Sequence, residues 1–314
     1  MKSAHLKRLG ALTLLLLGAA SQAQASELFP ALPSKTIGVQ VKIQSFSAAD
    51  AEQIKAAGFS FVRFGVWSDS LGGKAYQKQV SDAFVAAKSA GLPVLLTVRA
   101  TKPLSGELTT AGETFANKVS GLEQTYGSQL VAIEIWNEPD LDTYWPTGNF
   151  KTTFVPFMTA MCKTLQGKPP STPLIGFGFA RPPSAGSAST VALNSILGAY
   201  PKCLNAISYH PYGMTATQIS NAQTFIQQNF QLPGVISEWG ISALTSNGGP
   251  DGQASKIAAF IADVKRLKIP LTSIYEWKNS DSGKDDREKN FGLLTSDGQP
   301  KPAQTAARTQ LNSE

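Results

Sequence analysis

Val131-Ala132-Ile133-Glu134-Ile135-Trp136-Asn137-Glu138-Pro139-Asp140 is the stretch whose reading decides the fold. It opens as an apolar run of strand character and stops on a polar Asn-Glu pair. Pro139, which lacks an N–H, forbids any further ladder hydrogen bond. A carboxylate, Glu138, is thereby left standing at a strand end. Glu134 shares the alternation of Glu138, so it should point the same way but deeper, as a buried structural acid.

Outward from this stretch, apolar strand runs alternate with helical patterns every few tens of residues. That is the pattern of repeated βα units around a parallel sheet. Strands are expected upstream at 37–41, 59–67 and 94–98, and downstream at 174–179, 206–209, 235–237 and 271–275. Ser47-Ala48-Ala49-Asp50 and Thr110-Ala111-Gly112-Glu113 carry the spacing of a capping box, and each should open a helix. Further helices are expected at about 74–90, 150–165, 215–229 and 253–267, and the Pro-, Gly- and Ser-rich segment 181–189 reads as a loop. Eight strands in one continuous alternation give the α/β class and a single-domain (β/α)8 TIM barrel over 26–314. A doubly wound open sheet is the alternative, but no glycine-rich phosphate loop follows the first strand.

The first 25 residues are set apart as a secretory signal peptide. Lys2, Lys7 and Arg8 precede an apolar run from Leu9 to Ala20, and Ala23-Gln24-Ala25 fits a small-x-small cleavage site. Secretion or a periplasmic location is expected, with no stable membrane anchor. Without those three cations the formal charge falls from +6 to +3, and no dense Lys/Arg stripe marks a nucleic-acid partner. Cys162 and Cys203 are the two cysteines, and in an oxidising compartment their natural reading is one disulfide, although two free buried thiols fit the sequence as well. Beyond the leader His210 is the single histidine, so no His-based metal cluster is expected and no cofactor is implied.

In a barrel the C-terminal strand ends form the mouth where chemistry is done. Glu238, in Gly234-Val235-Ile236-Ser237-Glu238-Trp239-Gly240, ends the seventh strand, across the mouth from Glu138 on the fourth. Two carboxylates flanking a bond are what glycoside hydrolysis requires.

Trp136-Asn137-Glu138-Pro139 together with Ser237-Glu238-Trp239-Gly240 resembles the retaining glycoside hydrolases of clan A, the superfamily of cellulases, mannanases and β-xylosidases. The resemblance implies Glu138 as the general acid/base, Glu238 as the nucleophile and Asn137 as the partner of the sugar 2-hydroxyl. It implies that Arg63, near the end of the second strand, orients Glu238 and keeps it ionised; an ion pair with Glu134 is the structural alternative. By the same resemblance the Tyr212 hydroxyl of His210-Pro211-Tyr212 contacts the nucleophile, His210 binds sugar, and Trp277 is the aromatic platform under the sugar. Trp67, Tyr144, Trp145 and Trp239 also fall at strand ends or mouth loops, whereas Glu276 and the acidic run 281–288 read as strand-end and solvated charges. The expected activity is hydrolysis of β-linked poly- or oligosaccharides by a monomer, endo-acting, with a non-catalytic glycan-binding barrel or a transglycosylase as alternatives.

Overall fold

A computed structural model describes residues 28–32, 36–102 and 106–313; the expected signal peptide lies outside the described residues. Eight parallel strands form a closed barrel in sequence order. They are β1 (Ile37–Gln40), β2 (Val62–Trp67), β3 (Val94–Arg99), β4 (Leu130–Ile135), β5 (Leu174–Phe179), β6 (Ala206–Tyr209), β7 (Gly234–Trp239) and β8 (Thr272–Ile274). β8 closes on β1 through the register Ile37 to Thr272 and Val39 to Ile274, which rules out the open sheet. Around them run α1 (Ala48–Ala56), α2 (Lys74–Ser89), α3 (Leu108–Tyr126), α4 (Phe150–Gly167), α5 (Ala188–Ala199), α6 (Ala216–Phe230), α7 (Gly249–Arg266) and α8 (Pro302–Asn312). Among the described residues no helix is long and apolar enough to cross a membrane.

The alternation of each strand sorts its side chains into two layers. Val62, Phe64, Val66, Val94, Leu96, Val98, Ile133 and Ile135 face outward and are buried under the helices. Facing inward are Phe61, Leu95, Ala132, Ile175, Ala206, Val235 and Leu271, which form an apolar floor joined by Phe29 and Leu32 from the segment ahead of β1. Each such Leu or Phe contributes on the order of 2 kcal/mol by leaving water. Nearer the C-terminal ends the inward positions turn polar, with Arg63, Thr97, Glu134, Ser208, His210 and Ser237 all buried. A barrel interior needs no polar layer for stability, so these side chains mark the end at which chemistry is arranged.

Local signals succeed at some element ends and fail at others. Ser47 and Asp50 form the expected reciprocal capping box at α1. The second expected box fails: α3 begins at Leu108, with Glu107 as its N-cap and no side-chain cap bond, and Thr110 to Glu113 lie inside the helix. Packing sets this start, because Gly112 lies against α4 so closely that a Cβ there would stand 2.3 Å from the Phe157 carbonyl oxygen. β2 begins at Val62 rather than at residue 59, since Phe59 turns away to pack edge-on to Trp277. The segment after 181 is a loop only as far as Ser187, whose hydroxyl accepts from the Thr190 N–H and starts α5, a helix the sequence reading does not place.

Cys162, in the last turns of α4, and Cys203, just before β6, form a disulfide with a Cα–Cα distance of 5.3 Å. The bond closes a 41-residue span at the floor end of the barrel, away from the mouth. Removing that closure from the unfolded chain is worth about 2 to 4 kcal/mol. The Cys162→Ala/Cys203→Ala variant is therefore expected to lose about that much in denaturant unfolding, with the activity of the folded protein unchanged.

Candidate active site

The ends of β2, β4, β6 and β7 bring the predicted residues together around one guanidinium. Arg63 on β2 is 2% exposed and spends all five of its N–H donors. Nε and Nη2 donate to Glu134 Oε2 at 3.0 and 2.7 Å, and Nη2 also donates to Asn137 Oδ1 at 2.8 Å. Nη1 donates to Glu238 Oε2 at 2.6 Å and to Gln40 Oε1. The two readings of Arg63 are thus both present, as a buried ion pair with Glu134 and as the cation beside Glu238. Thr97 adds a third donor group to the same oxygen, its hydroxyl donating to Glu134 Oε2 at 2.7 Å.

Glu238 lies within β7 and faces the mouth with 12% of its side chain exposed. Its second oxygen, Oε1, accepts from the Tyr212 hydroxyl at 2.8 Å. Burial pushes the Glu238 carboxyl up; the charges of His210 and Arg63, with hydrogen bonds from Tyr212 and Arg63, outweigh it and leave the group below the usual glutamate range. The Tyr212 hydroxyl is pushed well above its ordinary value by burial and by the Glu238 charge, so it stays a donor.

Glu138 follows the end of β4 and is 15% exposed. Trp136 and Glu138 both take left-handed backbone, with φ of 73° and 50°, a conformation that costs a non-glycine residue of order 1 kcal/mol or more. The surroundings enforce it. The Trp136 N–H donates to the Val98 carbonyl at 2.9 Å, and the Glu138 N–H donates to the Gly178 carbonyl at 2.8 Å. The Trp136 ring is buried against Phe115, Trp145 and Phe157, and its Nε1 donates to the Tyr144 carbonyl at 2.7 Å. Gly178, at φ of 60°, leaves the room for this turn, since a Cβ there would meet Glu134 Oε1 at 2.9 Å.

His210 departs from the sugar-binding role implied for it. It is fully buried, with Nδ1 3.0 Å from Glu138 Oε1 and Nε2 3.1 Å from Ser237 Oγ, so it positions Glu138 rather than meeting a ligand. Burial lowers its pKa, while the Glu238 charge and the Glu138 bond raise it further, giving a net upward shift. One ligating atom each of Glu138, His210 and Glu238 lie within 4.8 Å of one another, a grouping with the donors of a metal site that includes the single histidine of the described residues. Arg63 already supplies the cation there, and His210 is engaged on both nitrogens, so the set reads as an opposed carboxylate pair.

Trp277 is also a correction. It is 2% exposed, sits edge-on to Phe59 with ring centroids 6.3 Å apart, and does not line the main cavity. Its backbone N–H donates to the Gln40 carbonyl and its backbone carbonyl accepts from the Leu294 N–H. Tyr275, at the end of β8, takes the position at the cavity wall instead, and the strand-end rule applied two residues earlier would have found it. Trp145 and Trp239 are likewise buried, the latter stacked on Phe260 at 3.6 Å, whereas Trp67 and Tyr144 do line the cavity. Glu276 is no solvated charge: it is 1% exposed, 3.2 Å from Lys42, and burial pushes its carboxyl up to about 7.

The cavity over the carboxylate pair measures about 760 Å³. No family model matches this sequence, and no curated protein sequence does either. Solved structures do match in fold. A family 39 glycoside hydrolase from the gut symbiont Bacteroides cellulosilyticus WH2 superposes with a TM-score of 0.70 at 19% identity, over 88% of this chain and 63% of that one. Fungal β-1,4-galactanases match with a TM-score of 0.63 at 12% identity, over 90% of this chain and 97% of theirs. A GH10 endoxylanase retrieved from sugarcane soil metagenome gives 0.62 at 12% identity, over 91% and 99%. These neighbours are glycoside hydrolases on the same eight-stranded barrel, and at such identities the likeness establishes the fold. The chain spans about six tenths of the length of the first of them.

Replacing Arg63 by Met should move the acid limb of the pH–activity profile to higher pH. The resemblance implies an ionised Glu238, and losing the cation that lowers its pKa lets protonation remove that form at a higher pH. The same change strands Glu134 without its partner and should cost about 3 to 5 kcal/mol in unfolding free energy.

Proposed function

We propose that this chain is an exported glycoside hydrolase that cleaves β-linked poly- or oligosaccharides with retention of configuration. The observation that carries the reading is the approach of Glu138 and Glu238 across the mouth, with an oxygen of each within 4.8 Å. Retaining enzymes keep their two carboxyl groups about 5 to 5.5 Å apart, whereas inverting ones need about 6.5 to 9.5 Å to admit a water. The asymmetry of the pair supports it further. Glu238 is bound on both oxygens and held ionised, as suits a nucleophile, while Glu138 keeps one oxygen free of partners among the described residues and is served by a histidine.

In the first step Glu138 gives its proton to the glycosidic oxygen as the Glu238 carboxylate attacks the anomeric carbon. The C–O bond to the leaving sugar breaks and a glycosyl ester on Glu238 forms. In the second step Glu138, now a carboxylate, takes a proton from water, whose oxygen attacks the anomeric carbon and releases Glu238. Arg63 Nη2 donates to Asn137 Oδ1, which leaves the Asn137 amide hydrogens for the sugar 2-hydroxyl. Endo action is supported by rings on both sides of the pair, Trp67, Tyr76 and Tyr144 on one and Tyr212, Tyr275 and Phe291 on the other. A disulfide suits an oxidising compartment and supports export.

Reducing-sugar release from a panel of β-glycans should be found and should fall by about 10²-fold or more in both Glu138→Gln and Glu238→Gln. Proton NMR of the first product should show the β-anomer before mutarotation. An α-anomer would replace the proposal by an inverting mechanism, and release that survives Glu238→Gln would remove Glu238 from the role of nucleophile.

A further inference from the structure

Two arginines reach the mouth from adjacent strands, and they differ in what they bind. Arg63 has no donor left over. Arg99, the last residue of β3, lines the same cavity half-buried, and among the described residues its side chain makes no hydrogen bond and no ion pair within 4.0 Å. Its one close contact is the face of Tyr144, with Cζ 5.4 Å from the ring centroid. Asp69 acts on it from a distance, beyond ion-pair reach; its Oδ2 is taken by the amides of Thr101 and Lys102 and by the Thr101 hydroxyl, and its Oδ1 is buried without a hydrogen-bond partner among the described residues. Burial lowers the Arg99 pKa, with Tyr144 and Asp69 opposing and Arg63 adding to the fall. A guanidinium that lines the cavity with five donors unmatched by protein acceptors is placed to be completed by an anion.

The rest of the wall leans the same way. Besides the carboxylate pair and Arg63, the cavity is lined by the cations Lys42, Arg99, Arg181, Lys284 and Arg287 against the acids Asp140 and Glu288. Asp140 is turned back on the Ala180 N–H at 2.9 Å, Glu288 is held by Arg287 at 3.1 Å and Lys42 by Glu276 at 3.2 Å, so Arg99, Arg181 and Lys284 carry the excess. β2 and β3 are in register so that Trp67 lies beside Arg99, and the Trp67 ring is stacked flat on Tyr76 at 5.6 Å. An aromatic face for a pyranose thus stands next to a planar fork suited to an oxyanion.

We propose that the substrate is an acidic polysaccharide and that Arg99 binds the anionic group, a carboxylate or a sulfate ester, of a sugar unit held beside the cleaved bond. The proposal rests on the hydrolase reading and adds the charge of the substrate to it. Neutral glycans offer a guanidinium single, uncharged hydroxyl acceptors. An anionic sugar satisfies it in two parallel N–H···O bonds. The excess of cations around the rim draws a polyanion to the mouth, with an effect that salt screens.

The test compares a uronate-containing β-glycan, the same polymer after chemical reduction of its carboxyl groups to alcohols, and a sulfated neutral β-glucan. Cleavage is expected on an anionic polymer, about 10-fold or more above the carboxyl-reduced one in kcat/KM, with the advantage shrinking in high salt. Preference between the uronate and the sulfated polymer identifies the anion. Arg99→Met should raise KM on the acidic polymer by about 10- to 100-fold while changing kcat and the activity on the reduced polymer little. Arg99→Lys should restore part of the loss, and an unchanged melting temperature in both variants excludes misfolding. Equal kcat/KM on the acidic and reduced polymers, or an Arg99→Met defect that is the same on both, would overturn the proposal. Should no polymer be cleaved, the hydrolase reading fails. The proposal about charge is then decided by titrating the wild-type protein with the same three polymers, where tighter binding of an anionic one supports it and equal or absent binding overturns it.

Discussion

A single guanidinium inside a barrel organises this molecule. Taking Arg63 out of water is costly, and the cost is offset only because two carboxylates, Glu134 and Glu238, and two amide oxygens, of Gln40 and Asn137, meet all of its donors. That requirement fixes four strand ends relative to one another, since the partners come from β1, β4, the turn after β4, and β7. The polar layer is therefore held together by hydrogen bonds to one cation. Glu134 contributes no chemistry of its own; it anchors the cation that conditions Glu238.

Beneath this layer the apolar floor supplies the stability, and above it the backbone turn at Trp136 to Glu138 supplies the precision. Left-handed conformations at a tryptophan and a glutamate persist only where the surroundings over-determine them. Here the Trp136 ring is clamped by three aromatic neighbours while the flanking N–H groups are latched to β3 and β5. Glu138 is thereby carried out of the strand direction and set over the mouth, where His210 receives it. His210 in turn leans on Ser237, the residue before Glu238, so the two carboxylates are tied together through one imidazole.

Much of this was legible in the sequence for a stated reason. The closed barrel follows from eight apolar runs in regular alternation, and the two glutamates from their place at strand ends, because strand termini are marked by the abrupt change from apolar to polar residues. The disulfide was one of two open readings that only proximity could settle. What escaped depends on the path of the chain after a strand ends. Trp277 and Tyr275 share one alternation, but the chain bends after β8 and puts the tryptophan under Leu294 and the tyrosine at the cavity. His210 looked like a ligand-facing residue because sequence cannot show that Glu138 and Ser237 occupy both of its nitrogens. Glu276 looked solvated because its burial comes from segments remote in sequence. Arg99 was within reach of the strand-end rule; its lack of partners, which is what distinguishes it from Arg63, is visible only in three dimensions.

The central claim is that Glu238 becomes covalently bound to the sugar. The most direct measurement is to treat the protein with a 2-deoxy-2-fluoro glycoside carrying a good leaving group, digest it, and locate the adduct by mass spectrometry. The account predicts one fluoro-sugar per chain, on the peptide containing Ile236-Ser237-Glu238-Trp239 and on the Glu238 carboxylate itself. An adduct on Glu138 or another side chain, or turnover of the reagent's parent glycoside with no adduct formed, would contradict it.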